Sequence, residues 1–215
     1  MANPQLKNKI YTDVSLNIVM VHGVLSDGSD FDDFGKKFMS DVRLKGVKVK
    51  VSVIKYGKLL LSIGRIPFVR VLVSRYIAAR LAACTYKYPN ARTVVLAHSF
   101  GTWAVAHAIE ELYNEFRLDM LILVGSVISR GFPWHRYGLW VNNFVGKRDW
   151  VVFFSALWGT GWSGRFGFKR SRKDDSARNN VFQKYREWGH ADYPKGYNEY
   201  VELIVEYLGI EALRR

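Results

Sequence analysis

Apolar residues gather in four runs that read as strands: Leu16-Asn17-Ile18-Val19-Met20-Val21, Val94-Val95-Leu96, Leu118 to Val124, and Leu139-Trp140-Val141-Asn142-Asn143-Phe144-Val145. Predominantly apolar character of this kind is expected of strands buried on both faces. A fifth stretch, Val47-Lys48-Val49-Lys50-Val51-Ser52-Val53, alternates strictly. It predicts a strand with one wet face or at a sheet edge, where lysines discourage stray pairing. A further strand is possible just before His190. Between these lie helical patterns. Phe31, Phe34, Phe38 and Met39 form a stripe after the turn residues Ser26 to Asp30,. Pro67 can sit in the first turn of a helix running to about Tyr86 and closed by Pro89-Asn90,. An alanine-rich helix follows Gly101 to about Phe116, and another spans about Tyr197 to Leu208. At 215 residues the chain, 1–215, is expected to form a single domain,.

Charge changes the picture in one place. The formal net charge of +13 is concentrated between Phe34 and Arg92, where fourteen Lys and Arg face Asp41 alone. A segment of that sign attracts anionic surfaces such as lipid headgroups or nucleic acid, or it is simply a solvated face. Arg70, Arg75 and Arg80 step by five and so surround their helix,. That suits a helix packed by its apolar positions with snorkelling arginines, an amphipathic membrane helix being the other option. Leu59 to Ala83, the nearest approach to a membrane span, is interrupted by charge, and Met1 to Tyr11 lacks the apolar core of an export signal,. Cys84 is the only cysteine, which leaves a cytoplasmic setting as the expectation,. With no Cys/His cluster and no His pair at ligand spacing, neither a metal nor another cofactor is called for.

The candidate chemistry lies in Leu96-Ala97-His98-Ser99-Phe100-Gly101-Thr102. A strand that turns abruptly into a helix holds a serine at the tip of a strained bend, hydroxyl exposed, with backbone N–H groups facing whatever the hydroxyl attacks. Such a bend needs small residues two places before and after the serine, and Ala97 and Gly101 supply them. A buried strand, a polar turn and a helix would carry the same pentapeptide. From this motif the chain resembles the α/β-hydrolase family. The usual elbow begins with glycine; Ala97 departs from it in the manner of small lid-less bacterial lipases.

That resemblance implies the rest of the site. A strand ending in His22-Gly23-Val24 resembles the family's oxyanion loop, so the Val24 and Phe100 N–H groups would bind the developing alkoxide. The family's chain order is serine, acid, histidine. No acidic residue occurs from Met120 to Arg148, and Asp149 ends a Gly146-Lys147-Arg148-Asp149 turn like the one that carries the acid. Asp119 opens a strand, on the wrong rim of a parallel sheet; Asp174, Asp175 and Asp192 remain rivals. Of five histidines, His190 alone lies between the acid and the last helix, in Trp188-Gly189-His190-Ala191-Asp192. The glycine- and aromatic-rich stretch from Trp158 to Phe168 lacks phosphate-loop spacing, so nucleotide binding is not supported,. Trp162 and Phe166 are candidate substrate contacts, with core packing as the ordinary alternative.

The expectation is therefore a minimal α/β-hydrolase fold, with a mostly parallel sheet of about six strands, helices on both faces and no lid domain between about 125 and 137. Few residues precede the first buried strand, so the leading strands of larger hydrolases would be missing and the lysine-bearing strand would become an edge. Ser99, His190 and Asp149 would run acyl transfer on a small-molecule or lipid ester or thioester. An anionic membrane surface is a possible partner and nucleic acid is disfavoured. The alternatives are a non-catalytic binding protein of the same fold, which Ala97 would permit, and a peripheral membrane or nucleic-acid-binding protein that works through its basic segment.

Overall fold

The computed structural model describes residues 14–24, 26–56, 66–112, 117–155, 159–169 and 181–209. Its strands are β1 (Leu16–Val21), β2 (Val49–Ile54), β3 (Arg92–His98), β4 (Met120–Val124), β5 (Trp140–Gly146) and β6 (Val181–Arg186). They form one sheet in the order β2-β1-β3-β4-β5-β6, with all five pairings parallel. The continuous apolar runs occupy the middle, β1, β3 and β4 being covered on both faces. The alternating lysine strand is one edge, as its wet face requires. The other edge is β6, whose Val-Phe-Gln-Lys-Tyr-Arg also stays half in water.

The helices are α1 (Ser29–Ser40), α2 (Pro67–Lys87), α3 (Phe100–Leu112), α4 (Trp150–Ser155), α5 (Ser163–Phe166) and α6 (Tyr197–Leu208). Because strand side chains alternate, each buried strand feeds two cores. Val19, Val21, Val95, Ala97, Leu121 and Leu123 face α2 and α3, where Ile77, Leu81, Val105 and Ile109 meet them. Leu16, Ile18, Met20, Val94, Leu96 and Ile122 face α1 and α6, and Phe31, Phe38, Tyr200 and Ile204 cover that side. Helices thus lie on both faces. Leu118 and Asp119 precede β4, where Thr93 N–H donates to the Asp119 carboxylate at 2.7 Å. This puts Asp119 at the amino-terminal rim, away from the loops that build the site.

Between β4 and β5, residues 125–139 carry one 3-10 turn, Trp134–Arg136, and no lid. The longer connection is the one from β5 to β6, and it contributes α4 and α5. Among the described residues no helix is long and apolar enough to cross a membrane. Part of the basic excess between Phe34 and Arg92 is matched by acids just outside that segment. Lys36 pairs with Asp33 at 2.7 Å, Lys55 with Asp32 at 2.5 Å and Arg75 with Glu111 at 2.8 Å. The end of the predicted helix beyond Leu112 and the rival acids Asp174 and Asp175 lie outside the described residues.

Candidate active site

Ser99 occupies the bend between β3 and α3 at φ 55°, the only non-glycine residue among those described with positive φ. A side chain in that conformation costs about 1–2 kcal/mol, so neighbours must hold it there. They do so through the backbone. Ser99 N–H donates to Val124 O at 3.0 Å, and its carbonyl accepts from Thr102 N–H at 2.9 Å and from the Thr102 hydroxyl at 2.6 Å. The same hydroxyl oxygen accepts from Val127 N–H at 3.1 Å, tying the bend to the loop after β4. Two close approaches explain the small residues nearby. A Cβ on Gly101 would stand 2.5 Å from the His22 carbonyl oxygen, and one on Gly23 would stand 2.9 Å from Ser99 Cβ.

The Ser99 hydroxyl meets His190 Nε2 at 2.8 Å, and His190 Nδ1 meets Asp149 Oδ2 at 2.9 Å. A carboxylate only accepts, so Nδ1 carries the proton and the Nε2 lone pair accepts from the serine. Asp149 is buried, and its other oxygen accepts from Val152 N–H at 2.9 Å, capping α4,. The acid turn and the histidine loop are laced together: Lys147 N–H donates to Arg186 O at 2.9 Å and Arg148 N–H to Trp188 O at 3.1 Å. Gly189 N–H donates to Asp192 Oδ2 at 2.7 Å, so this rival acid closes the histidine loop instead of facing the imidazole. Gly125, at φ 57°, leaves room for the ring, since a Cβ there would lie 3.1 Å from two His190 ring atoms.

His98 supports the same loop. Its Nε2–H donates to the His190 carbonyl at 2.9 Å, and its ring packs between those of His190 and Tyr193. Burial first, then the neighbouring imidazole, pull its pKa down to about 3, so it is neutral near pH 7,. On the other side of the serine, His22 Nδ1–H donates to Gly23 O at 2.6 Å, and its ring stacks on Tyr56 at 4.2 Å between centroids. The Tyr56 hydroxyl donates to the His22 carbonyl at 2.5 Å. Burial lowers the His22 pKa as well. Both interactions fix the loop that carries Val24. Among the hydrogen bonds of the described residues neither Val24 N–H nor Phe100 N–H has an acceptor; Phe100 is the first residue of α3, where helical N–H groups lack partners,.

A cleft of about 600 Å³ opens over the serine. Val24, Phe100, Val127, Trp150, Val151 and Phe154 form its apolar lining, Ser99 and His190 part of its floor, and Arg70 reaches it from α2. The Arg70 guanidinium donates to Gly159 O at 3.3 Å and lies 5.6 Å from the Trp103 ring centre.

No family model and no curated protein matches the sequence. The structure, in contrast, resembles solved hydrolases over nearly its whole length. A predicted CIB-like hydrolase from Thermoplasma acidophilum is 17% identical with a TM-score of 0.55, the match covering 93% of this chain and 88% of that one. MenH from S. aureus is 12% identical with a TM-score of 0.57, covering 94% and 96%. A dienelactone hydrolase-like promiscuous phosphotriesterase from metagenomic libraries is 9% identical, also with a TM-score of 0.57, covering 92% and 88%.

The fold is that of the α/β hydrolases.

On this α/β-hydrolase frame Ser99, Asp149, His190, Val24 and Phe100 come together at the carboxyl rim of the sheet. Trp162 and Phe166 do not join them: neither lines the cleft. The backbone fixes their place, because Gly161 N–H donates to Val127 O at 2.7 Å and Gly164 N–H to Ser126 O at 2.6 Å. That tight pairing turns the two rings outward against Phe153. The aromatic wall of the cleft is Trp150 and Phe154 instead, residues that sequence reading passes over although they directly follow the acid turn. Tyr56 escapes it as well. Its position at the end of β2, on the same rim as the serine, is the available signal.

Proposed function

We propose that the protein is a serine hydrolase acting on carboxylic esters or thioesters. One observation carries the reading: a continuous line of hydrogen bonds of 2.8 and 2.9 Å from the Ser99 hydroxyl through the His190 ring to the buried Asp149. A serine hydroxyl is a poor nucleophile near pH 7 and gains reactivity from a base within this distance. Ser99 Oγ attacks the substrate carbonyl carbon while His190 Nε2 takes the hydroxyl proton. Asp149 holds the ring and stabilises the imidazolium. The tetrahedral oxyanion is bound by Val24 and Phe100 N–H. Its collapse breaks the acyl–oxygen or acyl–sulfur bond, and His190 returns the proton to the leaving group. Water, deprotonated by His190, then attacks the acyl-serine and releases the acid and the free hydroxyl.

The apolar cleft suits an acyl chain, and Arg70 offers a cation to an anionic carrier of that chain, such as a lysophospholipid. A panel of p-nitrophenyl esters of increasing chain length tests the reading. Turnover by wild type should fall roughly 10⁴-fold or more in Ser99→Ala. A fluorophosphonate should label wild type and leave Ser99→Ala unlabelled. Failure of the folded wild type to turn over any ester and to take up the probe would overturn catalysis and favour a hydrolase-fold binding protein.

A further inference from the structure

The connection between β5 and β6 presents an aromatic face that extends from the cleft wall well beyond the cleft itself. Trp150, Phe154, Trp162 and Phe166 are 57%, 50%, 42% and 42% exposed and, with Phe153, form one continuous aromatic surface beside the cleft. Rings of this size in water are costly unless something covers them, because each holds a large apolar area. The same face is cationic. The Arg165 guanidinium lies 4.1 Å from the Trp150 ring centre; its Nε and Nη1 are buried there with no acceptor among the described residues, so the charge sits just beneath the rings. Arg130 lies 5.8 Å from the Phe166 ring centre. Between Met120 and Lys169 the sequence holds six Lys and Arg against one acid, Asp149, and that acid is buried against His190. Lys147 and Arg148, in the same connection, pair with Glu187.

Exposed aromatics interleaved with arginine, with no exposed carboxylate between them, match the boundary of an anionic bilayer. Indole and phenyl rings settle at the headgroup level while guanidinium groups meet phosphates. We propose that the α4–α5 face docks the protein on an anionic lipid surface. Trp150 and Phe154 belong both to this face and to the cleft, so docking brings the cleft mouth to the lipid. The basic segment between Phe34 and Arg92 is then a secondary, long-range attraction.

Docking does not depend on catalysis, and Ser99→Ala should bind as wild type does; loss of turnover and loss of binding are therefore separate failures. Binding is read by co-sedimentation of the full chain with vesicles of equal parts phosphatidylcholine and phosphatidylglycerol, and with phosphatidylcholine alone. The protein should prefer the anionic vesicles, more weakly at high salt. Arg165→Glu, and separately Trp162→Ser with Phe166→Ser, should each weaken binding about tenfold or more. Lys50→Glu, an equal charge change on the β2 edge, should change it less than about threefold. In wild type, brominated phosphatidylcholine mixed into the anionic vesicles should quench tryptophan emission, a readout that needs no variant to fold. Absence of binding, binding without quenching, or equal losses in Lys50→Glu and Arg165→Glu would overturn the proposal, as would a dimer closed through this face that ignores vesicles.

Discussion

His98 carries a constraint that a serine bend does not itself impose. Its ring donates to the His190 carbonyl while packed between two other rings, and burial, which disfavours the charged imidazolium, holds its pKa at about 3,. In the unfolded chain an imidazole takes up its proton near pH 6.5,. Between those values the unfolded state binds a proton that the folded state refuses, so stability is full above about pH 6.5 and declines as the pH falls toward 3,. His22 adds in the same direction. Below about pH 4 the carboxylate of Asp41, held well below its ordinary range by Arg43, adds a second loss as it is forced to protonate,. Melting temperature should therefore fall on acidification from about pH 6.5, and His98→Gln should flatten the upper part of that decline. An unchanged profile in His98→Gln would remove His98 as its cause. His98→Leu, which removes the donor, should lower kcat/KM about tenfold, since the histidine loop loses the hydrogen bond that aims it,.

At the scale of elements, the strands are readable in proportion to how completely they are buried. β1, β3 and β4 lie inside the sheet with helices over both faces, so their central positions are almost all apolar and the run announces itself. β6 is a parallel edge strand in which Gln183, Lys184 and Arg186 interrupt the apolar residues, and only its place before His190 hints at it. Ser99, Asp149 and His190 can be singled out because each sits in a turn whose shape demands particular neighbours. Trp162 and Phe166 stand out by composition alone, which cannot show that Gly161 and Gly164 press against the loop after β4 and turn the rings away. α4 is unreadable for a related reason. Trp150 to Phe154 is apolar at every position and shows no period, yet the end of β5 delivers it to the rim, where it walls the cleft. Phe154→Ala should lower kcat/KM for long-chain esters about tenfold, because the acyl chain then meets water where the ring stood, and leave acetyl esters nearly unchanged. Equal losses on both substrates would mean that α4 supports the acid turn but does not touch the acyl chain.

For the whole molecule, the site is distributed unevenly across the sheet. Ser99 ends the third of six strands, with paired neighbours on both sides and a core on each face. His190 follows the outermost strand, which among the described residues pairs only with β5 in the sheet and has no fully buried position. Local opening follows packing and burial, so these two regions belong to cooperative units with different opening free energies. Amide hydrogens of residues 181–186 should exchange with solvent faster than those of 94–98. Mild urea should abolish turnover at concentrations where far-ultraviolet circular dichroism still reports a folded chain. Coincident loss of both signals would mean that the sheet opens as one body. The working lifetime of such a protein would be set by the fraying of its last strand, and a stabilising substitution there would outlast several placed at its centre.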